Sequence, residues 1–195
     1  YFTKVPFHKI LDAVTNNIKS TAGAILILLM VGALAGTWMV SGIIPSMIYY
    51  GLQILSPAVF LPATLIICSV ISIATGSSWT TSATVGIALI GIGGALGFDL
   101  GMVAGAVISG AYFGDKLSPM SDTTNLAPAM AGTDLFTHIK YMTLTTIPTY
   151  IITLILFIIL GLSIEVKGDV NTNELLTAIT TSFNVSGWLF LVPVI

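Results

Sequence analysis

Charged residues are scarce in this 195-residue chain, at 7% of the total, whereas an average soluble domain has roughly 25%. Arginine is absent, and six lysines face eight acidic residues, so the formal net charge is −2. This balance provides no basic surface, and we expect no nucleic-acid partner. Cys68 is the single cysteine, which excludes an internal disulfide and offers no basis for a cysteine-based metal site.

Long uncharged runs take the place of the missing charges. Hydrophobic residues make up 55% of the chain, and the mean hydropathy is +1.02. From Ser20 to Phe98, 79 residues contain no Asp, Glu, Lys, Arg or His, and Tyr141 to Ile164 is a second such run of 24 residues. Because a membrane-spanning helix needs about 20 mainly apolar residues, the first run has room for three or four crossings and the second for one. The sequence therefore predicts an all-α membrane protein, a bundle of several membrane-spanning helices.

Prolines, glycines and polar clusters divide the runs into segments. The predicted spans are 22–44, 58–74, 83–96, 100–113 with 126–133, 141–163 and a truncated 187–195. A short amphipathic surface helix is predicted at 6–20 and a loop at 46–57. The spans on either side of the polar tip 75–82 are either two crossings or the arms of a re-entrant hairpin. Since the chain starts at Tyr1 and stops inside an apolar run, we interpret 1–195 as a single transmembrane domain cut from a larger protein.

The span that begins at Leu100 is predicted to be a discontinuous helix. Its apolar part, 100–113, would be about 21 Å long, whereas the hydrocarbon core of a bilayer is about 30 Å thick. The polar segment 114–125 and then a short apolar segment, 126–133, follow it. We therefore predict two half-helices joined by an unwound segment at membrane depth. Backbone of this kind must be buried in protein or line a wet cavity, and it builds ion sites in many secondary transporters.

The candidate binding residues of the two polar segments offer only oxygen ligands. They are Asp115, Asp122, Ser118, Ser121, Thr123, Thr124 and Asn125 in the motif, and Ser77, Ser78, Thr80 and Thr81 in the tip. Oxygen ligands suit a small hard cation, whereas zinc and copper favour His or Cys. We expect Na⁺ and H⁺ to bind at these residues, with no catalytic residue and no cofactor. Intramembrane acids are costly, which favours a functional role.

The two aspartates are expected to differ in charge. Asp115 would lie at the negative end of the first half-helix, where the dipole and burial both favour its protonated form. Asp122 would precede the positive end of the second half-helix, which favours its ionised form. We therefore assign the exchangeable proton to Asp115, and to Asp122 the role of a permanently charged ligand or an N-cap. An ion pair with Lys116 would instead keep Asp115 ionised.

The motif from Gly114 to Pro128, GDKLSPMSDTTNLAP, followed by AGTD at 131–134, resembles the signature of NhaC-type Na⁺/H⁺ antiporters. The upstream TGSSWTT at 75–81 is similar to that family too, and the resemblance covers most of 20–163. It implies a multi-pass transporter of the bacterial inner membrane, built from inverted repeats, that exchanges Na⁺ for H⁺ by alternating access. It also implies that the N-terminal half of the same chain is missing here. Some relatives exchange malate for lactate, so a Na⁺/H⁺-coupled organic anion antiporter is the alternative.

Two alternative functions would use these residues differently. An intramembrane aspartyl protease would use two acids at membrane depth, but such enzymes carry a Gly-x-Gly-Asp motif that Tyr112-Phe113-Gly114-Asp115 does not match. A channel subunit would show single-channel conductance. The sequence therefore favours a transporter over an enzyme, with the lipid bilayer, Na⁺ and H⁺ as its partners; a homodimer stays open.

Overall fold

The computed structural model describes residues 6–163 and 172–189. Residues up to Thr37 and residues from Trp38 onward form two separate compact units. All regular secondary structure in the described ranges is helical, which confirms the predicted all-α membrane fold.

The first helix, α1, is continuous from Phe7 to Val40, across the boundary that was predicted near residue 21. No proline interrupts this stretch, so the change from amphipathic to apolar sequence does not end the helix. The chain turns at Gly42, whose φ of +87° is in the left-handed region, and α2 follows at Ile43–Ile54. The separate surface helix at 6–20 and the loop at 46–57 were therefore wrong predictions.

The next helices carry the polar tip. Helix α3 spans Pro57–Thr75, with proline in its first turn and Gly76 in a left-handed conformation at its C-cap. After Ser77 come α4 (Ser78–Thr81), a π-helical turn (Ser82–Gly86) and α5 (Ile87–Ala95). Turns of the π type are rare and are often found at functional sites.

The predicted discontinuity is present, but it is shorter than expected. Helix α6 spans Leu100–Leu117 and α7 spans Asp122–Ala131, so 118–121 alone are non-helical. Ser118 is extended, as expected of a residue before proline, and Pro119 prevents α6 from continuing. The prediction that all of 114–125 is unwound was wrong, because its other polar residues are compatible with a helix. Helices α8 (Leu135–Ser163) and α9 (Thr172–Ser182) complete the described chain.

The core lies mainly between α3 and α6, with α8 packed against both. Phe60, Leu61, Leu65, Val103 and Val107 are almost fully buried there. Two glycines of α6 allow the close approach, because a Cβ on Gly110 would clash with the carbonyl oxygen of Leu65, and one on Gly114 would lie 2.5 Å from the Cβ of Ser72.

Within the described residues, two helices are long and apolar enough to cross a membrane, α3 and α8, each with a mean hydropathy of 2.2. They contain the residues of the predicted spans 58–74 and 141–163, and α8 begins earlier than predicted, at Leu135. Gly32–Val40 and α2 together pass the same test as a pair bent by 70°. The other membrane crossings stay predictions.

Candidate functional site

The centre of the site is the carboxylate of Asp115, in the last turn of α6 and half-buried. Its Oδ2 accepts a hydrogen bond from Ser78 Oγ at 3.0 Å, and its Oδ1 accepts one from Ser121 Oγ at 2.7 Å. Both serines are buried. The structure thus brings together one residue from the polar tip and two from the motif, and we call Ser78, Asp115 and Ser121 the carboxylate cluster.

Close contact between two turns holds the cluster together. A Cβ on Gly76 would lie 2.6 Å from the backbone carbon of Met120, so only glycine allows the turn after α3 to touch the turn between α6 and α7. Buried Ser118 fixes the same contact, because its Oγ donates to the carbonyl oxygen of Ile73 at 2.8 Å and accepts from Met120 N at 3.2 Å. Ser118 therefore has a structural role beside the cluster.

Ser121 connects the carboxylate to the positive end of α7. It is the N-cap of this helix, and its Oγ accepts a hydrogen bond from Thr124 N at 3.4 Å. The same Oγ lies 2.9 Å from Thr123 Oγ1, which adds Thr123 to the surroundings of the cluster. The Asp115 carboxylate thus lies at the C-terminal end of one helix and one hydrogen bond from the N-terminus of the next.

Thr124 and Asn125 use their donors within the interrupted region. Thr124 Oγ1 lies 3.0 Å from the carbonyl oxygen of Asp115 and 3.2 Å from that of Lys116, and it caps the C-terminal end of α6. Asn125 Nδ2 donates to the carbonyl oxygens of Pro119 and Ser121, each at 2.7 Å. These contacts shape the backbone around the cluster.

Asp122 lies apart from the cluster. Its side chain is exposed, and its Oδ1 accepts a hydrogen bond from the backbone N–H of Thr123 at 2.8 Å. The alternative that Asp122 is the N-cap of α7 was wrong, because Ser121 occupies that position. Because Asp122 is an acidic residue in the first turn of α7, its charge interacts favourably with the positive end of this helix.

Only Ser78 of the four candidates in the polar tip contacts Asp115. Ser77 is the N-cap of α4 and accepts from Thr80 N at 3.2 Å, and buried Thr81 donates to the Ser77 carbonyl oxygen at 2.9 Å. Thr84, which the sequence analysis missed, is buried and donates to the Thr80 carbonyl oxygen at 2.7 Å. These hydroxyls make this part of the structure polar, although none of them donates a hydrogen bond to the carboxylate.

A cavity of about 300 Å³ lies between α6 and α8, on another side of α6. Its walls include Lys116 and Tyr112 from α6 and four threonines from α8, of which Thr145, Thr149 and Thr153 are spaced four residues apart. The regular four-residue spacing of these three threonines is the sequence signal that could have revealed this polar stripe. Lys116 is exposed and lines this cavity, whereas the carboxylate of Asp115 accepts hydrogen bonds from Ser78 and Ser121.

The carboxylate cluster has the ligand chemistry of a monovalent hard cation or a proton. A serine hydroxyl has one donor and two acceptor lone pairs, so it can donate to a carboxylate and contact a cation with its oxygen. Over the described ranges, no group of three or more His, Cys, Asp or Glu side chains could hold a metal ion.

Comparisons with known proteins show what the chain is similar to. Residues 110–195 match the Na⁺/H⁺ antiporter family. The chain is 47% identical over 186 residues to the malate-2H⁺/Na⁺-lactate antiporter of Bacillus subtilis, covering 94% of this chain and 40% of that protein. It is 43% identical over 194 residues to the Na⁺/H⁺ antiporter NhaC of Alkalihalophilus pseudofirmus, covering 100% and 42%. It is 44% identical over 160 residues to the arginine/ornithine antiporter ArcD of Halobacterium salinarum, covering 82% and 33%.

No solved structure shows a significant match to the chain. The chain spans about two fifths of the length of the curated relatives that it matches. The predicted resemblance is nevertheless confirmed: the chain is a relative of the NhaC-type Na⁺/H⁺ antiporters over nearly its whole length.

Proposed function

We propose that the protein containing this chain is a secondary transporter that exchanges Na⁺ for H⁺ across the bacterial inner membrane by alternating access. The observation that carries the proposal is the half-buried Asp115 carboxylate, which accepts hydrogen bonds from two buried serines at a helix interruption. An ionisable side chain at such a place is costly and is expected to serve transport.

In this proposal Asp115 binds the two cations alternately. In the proton-loaded form, Asp115 is a carboxylic acid and donates a hydrogen bond to one of its two serine neighbours. When Na⁺ enters, the proton leaves to water, and the carboxylate contacts the ion together with the serine oxygens. One positive charge thus replaces another at the site, so the cluster need not hold an uncompensated charge while the access changes sides.

The surrounding residues provide the positioning. Gly76 and Ser118 hold the two turns in contact, and Thr124 caps the end of α6. The remaining hydroxyls of the polar tip and the motif line the path of the hydrated ion in this proposal, whereas exposed Asp122 lies outside it. No enzymatic step and no cofactor is needed.

A second candidate function is the exchange of organic carboxylates coupled to Na⁺ and H⁺. It is favoured by the relatives, since malate, lactate, arginine and ornithine in their printed names all carry a carboxylate. Asp115 would keep its role as the coupling residue in this case, and a separate site would hold the organic substrate.

The test is a pH-dye assay in inside-out vesicles that contain the full-length protein. Addition of Na⁺ should move protons in the wild type, and Asp115→Asn should abolish this movement because its amide cannot exchange a proton. Asp122→Asn is the matched control: its carboxylate is exposed and outside the cluster, so it should retain most of the activity.

Persistent sodium-evoked proton movement in Asp115→Asn, at a normal protein level, would overturn the proposal. Ser78→Ala adds a graded measurement. It removes one hydroxyl from the carboxylate and should raise the Na⁺ concentration for half-maximal exchange by roughly tenfold, as expected for a hydrogen bond to a charged group.

A further inference from the structure

The cavity between α6 and α8 lies beside the middle of a long apolar helix. The rings of Phe113 and Tyr150 stack with centroids 3.9 Å apart, and Tyr150 lies near the middle of α8, so this part of α6 packs beside the middle of that helix. Lys116 belongs to the same wall. A lysine at this level of an apolar helix is as costly as the aspartate before it, and the carboxylate cluster gives it no role.

The cavity and the carboxylate cluster use different sides of α6. Ser109, Tyr112, Phe113 and Lys116 line the cavity, and their spacing of three and four residues puts them on one helical face. Gly110 and Gly114 form the face that packs on α3. The two consecutive charges of the motif, Asp115 and Lys116, thus serve two separate places.

The α6 wall and the α8 wall of the cavity differ in how many of their hydrogen-bond donors are already used. On α8, Thr149 and Thr153 donate to carbonyl oxygens of their own helix at 2.8 and 2.9 Å, so their donors are occupied. On α6, the Lys116 ammonium and the hydroxyls of Ser109 and Tyr112 face the cavity without a hydrogen-bond partner among the described residues. Unused donors around an ammonium group are the arrangement that an anion requires.

We propose that this cavity binds the carboxylate group of a small organic anion, with Lys116 as its ion-pair partner and Tyr112 and Ser109 as hydrogen-bond donors. A volume of about 300 Å³ is at the lower end of the usual range for small-molecule sites, which fits a compact acid. This inference assigns to this cavity the separate site that the second candidate function requires, and it rests on that proposed function.

The test measures equilibrium binding, so that it is independent of ion exchange. The purified full-length protein is titrated with L-malate as the probe, at constant Na⁺ and pH, and its dimethyl ester serves as the uncharged control. Malate should bind and the ester should not. Lys116→Gln should weaken malate binding at least tenfold, the loss expected for a charge-assisted hydrogen bond, while Lys116→Arg should retain it.

Tyr112→Phe removes one donor and keeps the ring, so it tests the cavity even if Lys116→Gln fails to fold; it should weaken binding several-fold. Lys140→Gln, on the exposed start of α8, is the matched control and should bind as the wild type does.

Three results would overturn the inference: no malate binding to the wild type, equal binding to Lys116→Gln and wild type, or displacement of malate by chloride or phosphate at comparable concentrations. Asp115→Asn separates this inference from the proposed function. If it keeps malate binding and loses sodium-evoked proton movement, both hold. If it moves protons normally, the exchange proposal fails whatever the malate result.

Discussion

Replacement of Gly114 by alanine tests whether the close packing of α3 and α6 positions the carboxylate cluster. The new Cβ would lie 2.5 Å from the Cβ of Ser72 and 2.6 Å from the backbone nitrogen of Ile73. Ordinary contacts begin near 3.4 Å, so the helices must separate locally by roughly 1 Å. We expect a cost of about 1–3 kcal/mol in the free energy of unfolding, typical of overpacking.

The same separation would break the hydrogen bonds next to the site. Ser118 Oγ donates to the Ile73 carbonyl oxygen at 2.8 Å and Ser78 Oγ donates to Asp115 at 3.0 Å, and a 1 Å increase takes both beyond hydrogen-bonding distance. Sodium-evoked proton movement should therefore fall by about tenfold or more.

Gly105→Ala is the matched control in the same helix. Its nearest neighbour to a new Cβ is Phe157 Cζ at 3.9 Å, so alanine fits, and its better helix propensity should keep or slightly raise stability. Thermal unfolding in detergent and the vesicle assay measure both variants. Equal behaviour of the two variants would refute the reasoning.

Three further predictions concern the turns and the N-cap. Gly76→Ala places a Cβ 2.6 Å from the Met120 backbone at a residue with a φ of +68°, whereas Gly132 has the same φ and open space around it. Gly76→Ala should therefore lower the unfolding temperature more than Gly132→Ala does. Equal losses in the two variants would contradict the close contact of the turns. Ser118→Ala should cost about 1–2 kcal/mol because Met120 N and the Ile73 carbonyl oxygen lose their hydrogen bonds to the buried Ser118 hydroxyl. Ser41→Ala, at an exposed serine, should have little effect on the unfolding temperature. Ser121→Gly should change stability by only a few tenths of a kcal/mol, because glycine is a tolerated N-cap, but it should weaken Na⁺ binding. Ser121→Ala should lower stability and also weaken Na⁺ binding. Unchanged Na⁺ binding in the two variants would show that Ser121 is not part of the site.

Helix boundaries were predictable where a residue dictates the backbone. Pro57 and Gly76 delimit α3, and Pro119 interrupts the helix after Leu117, since each acts on its immediate neighbours. The boundary within α1 was not predictable from polarity, because a helix continues through a change in its surroundings when no residue disfavours it. Likewise Asp115 and Lys116 are polar and yet helical.

The candidate residues were proposed from their chemistry, but their arrangement could not be predicted. Ser78 and Asp115 are 37 positions apart, and their contact depends on glycines that bring α3 and α6 together. Asp122 is as acidic as Asp115, and only its position outside the contact between the turns separates the two. The cavity was missed because its threonines and Lys116 lie in different segments, which only the packing of α6 on α8 joins.

The central claim is that Asp115 exchanges its proton for Na⁺, and infrared difference spectroscopy of the full-length protein tests it most directly. At a fixed pH at which the site is protonated, addition of Na⁺ should remove one carboxylic-acid C=O band and release a proton to the buffer, and Asp115→Asn should lack both signals. A band that Na⁺ still removes in Asp115→Asn would assign the proton to another residue and contradict the account.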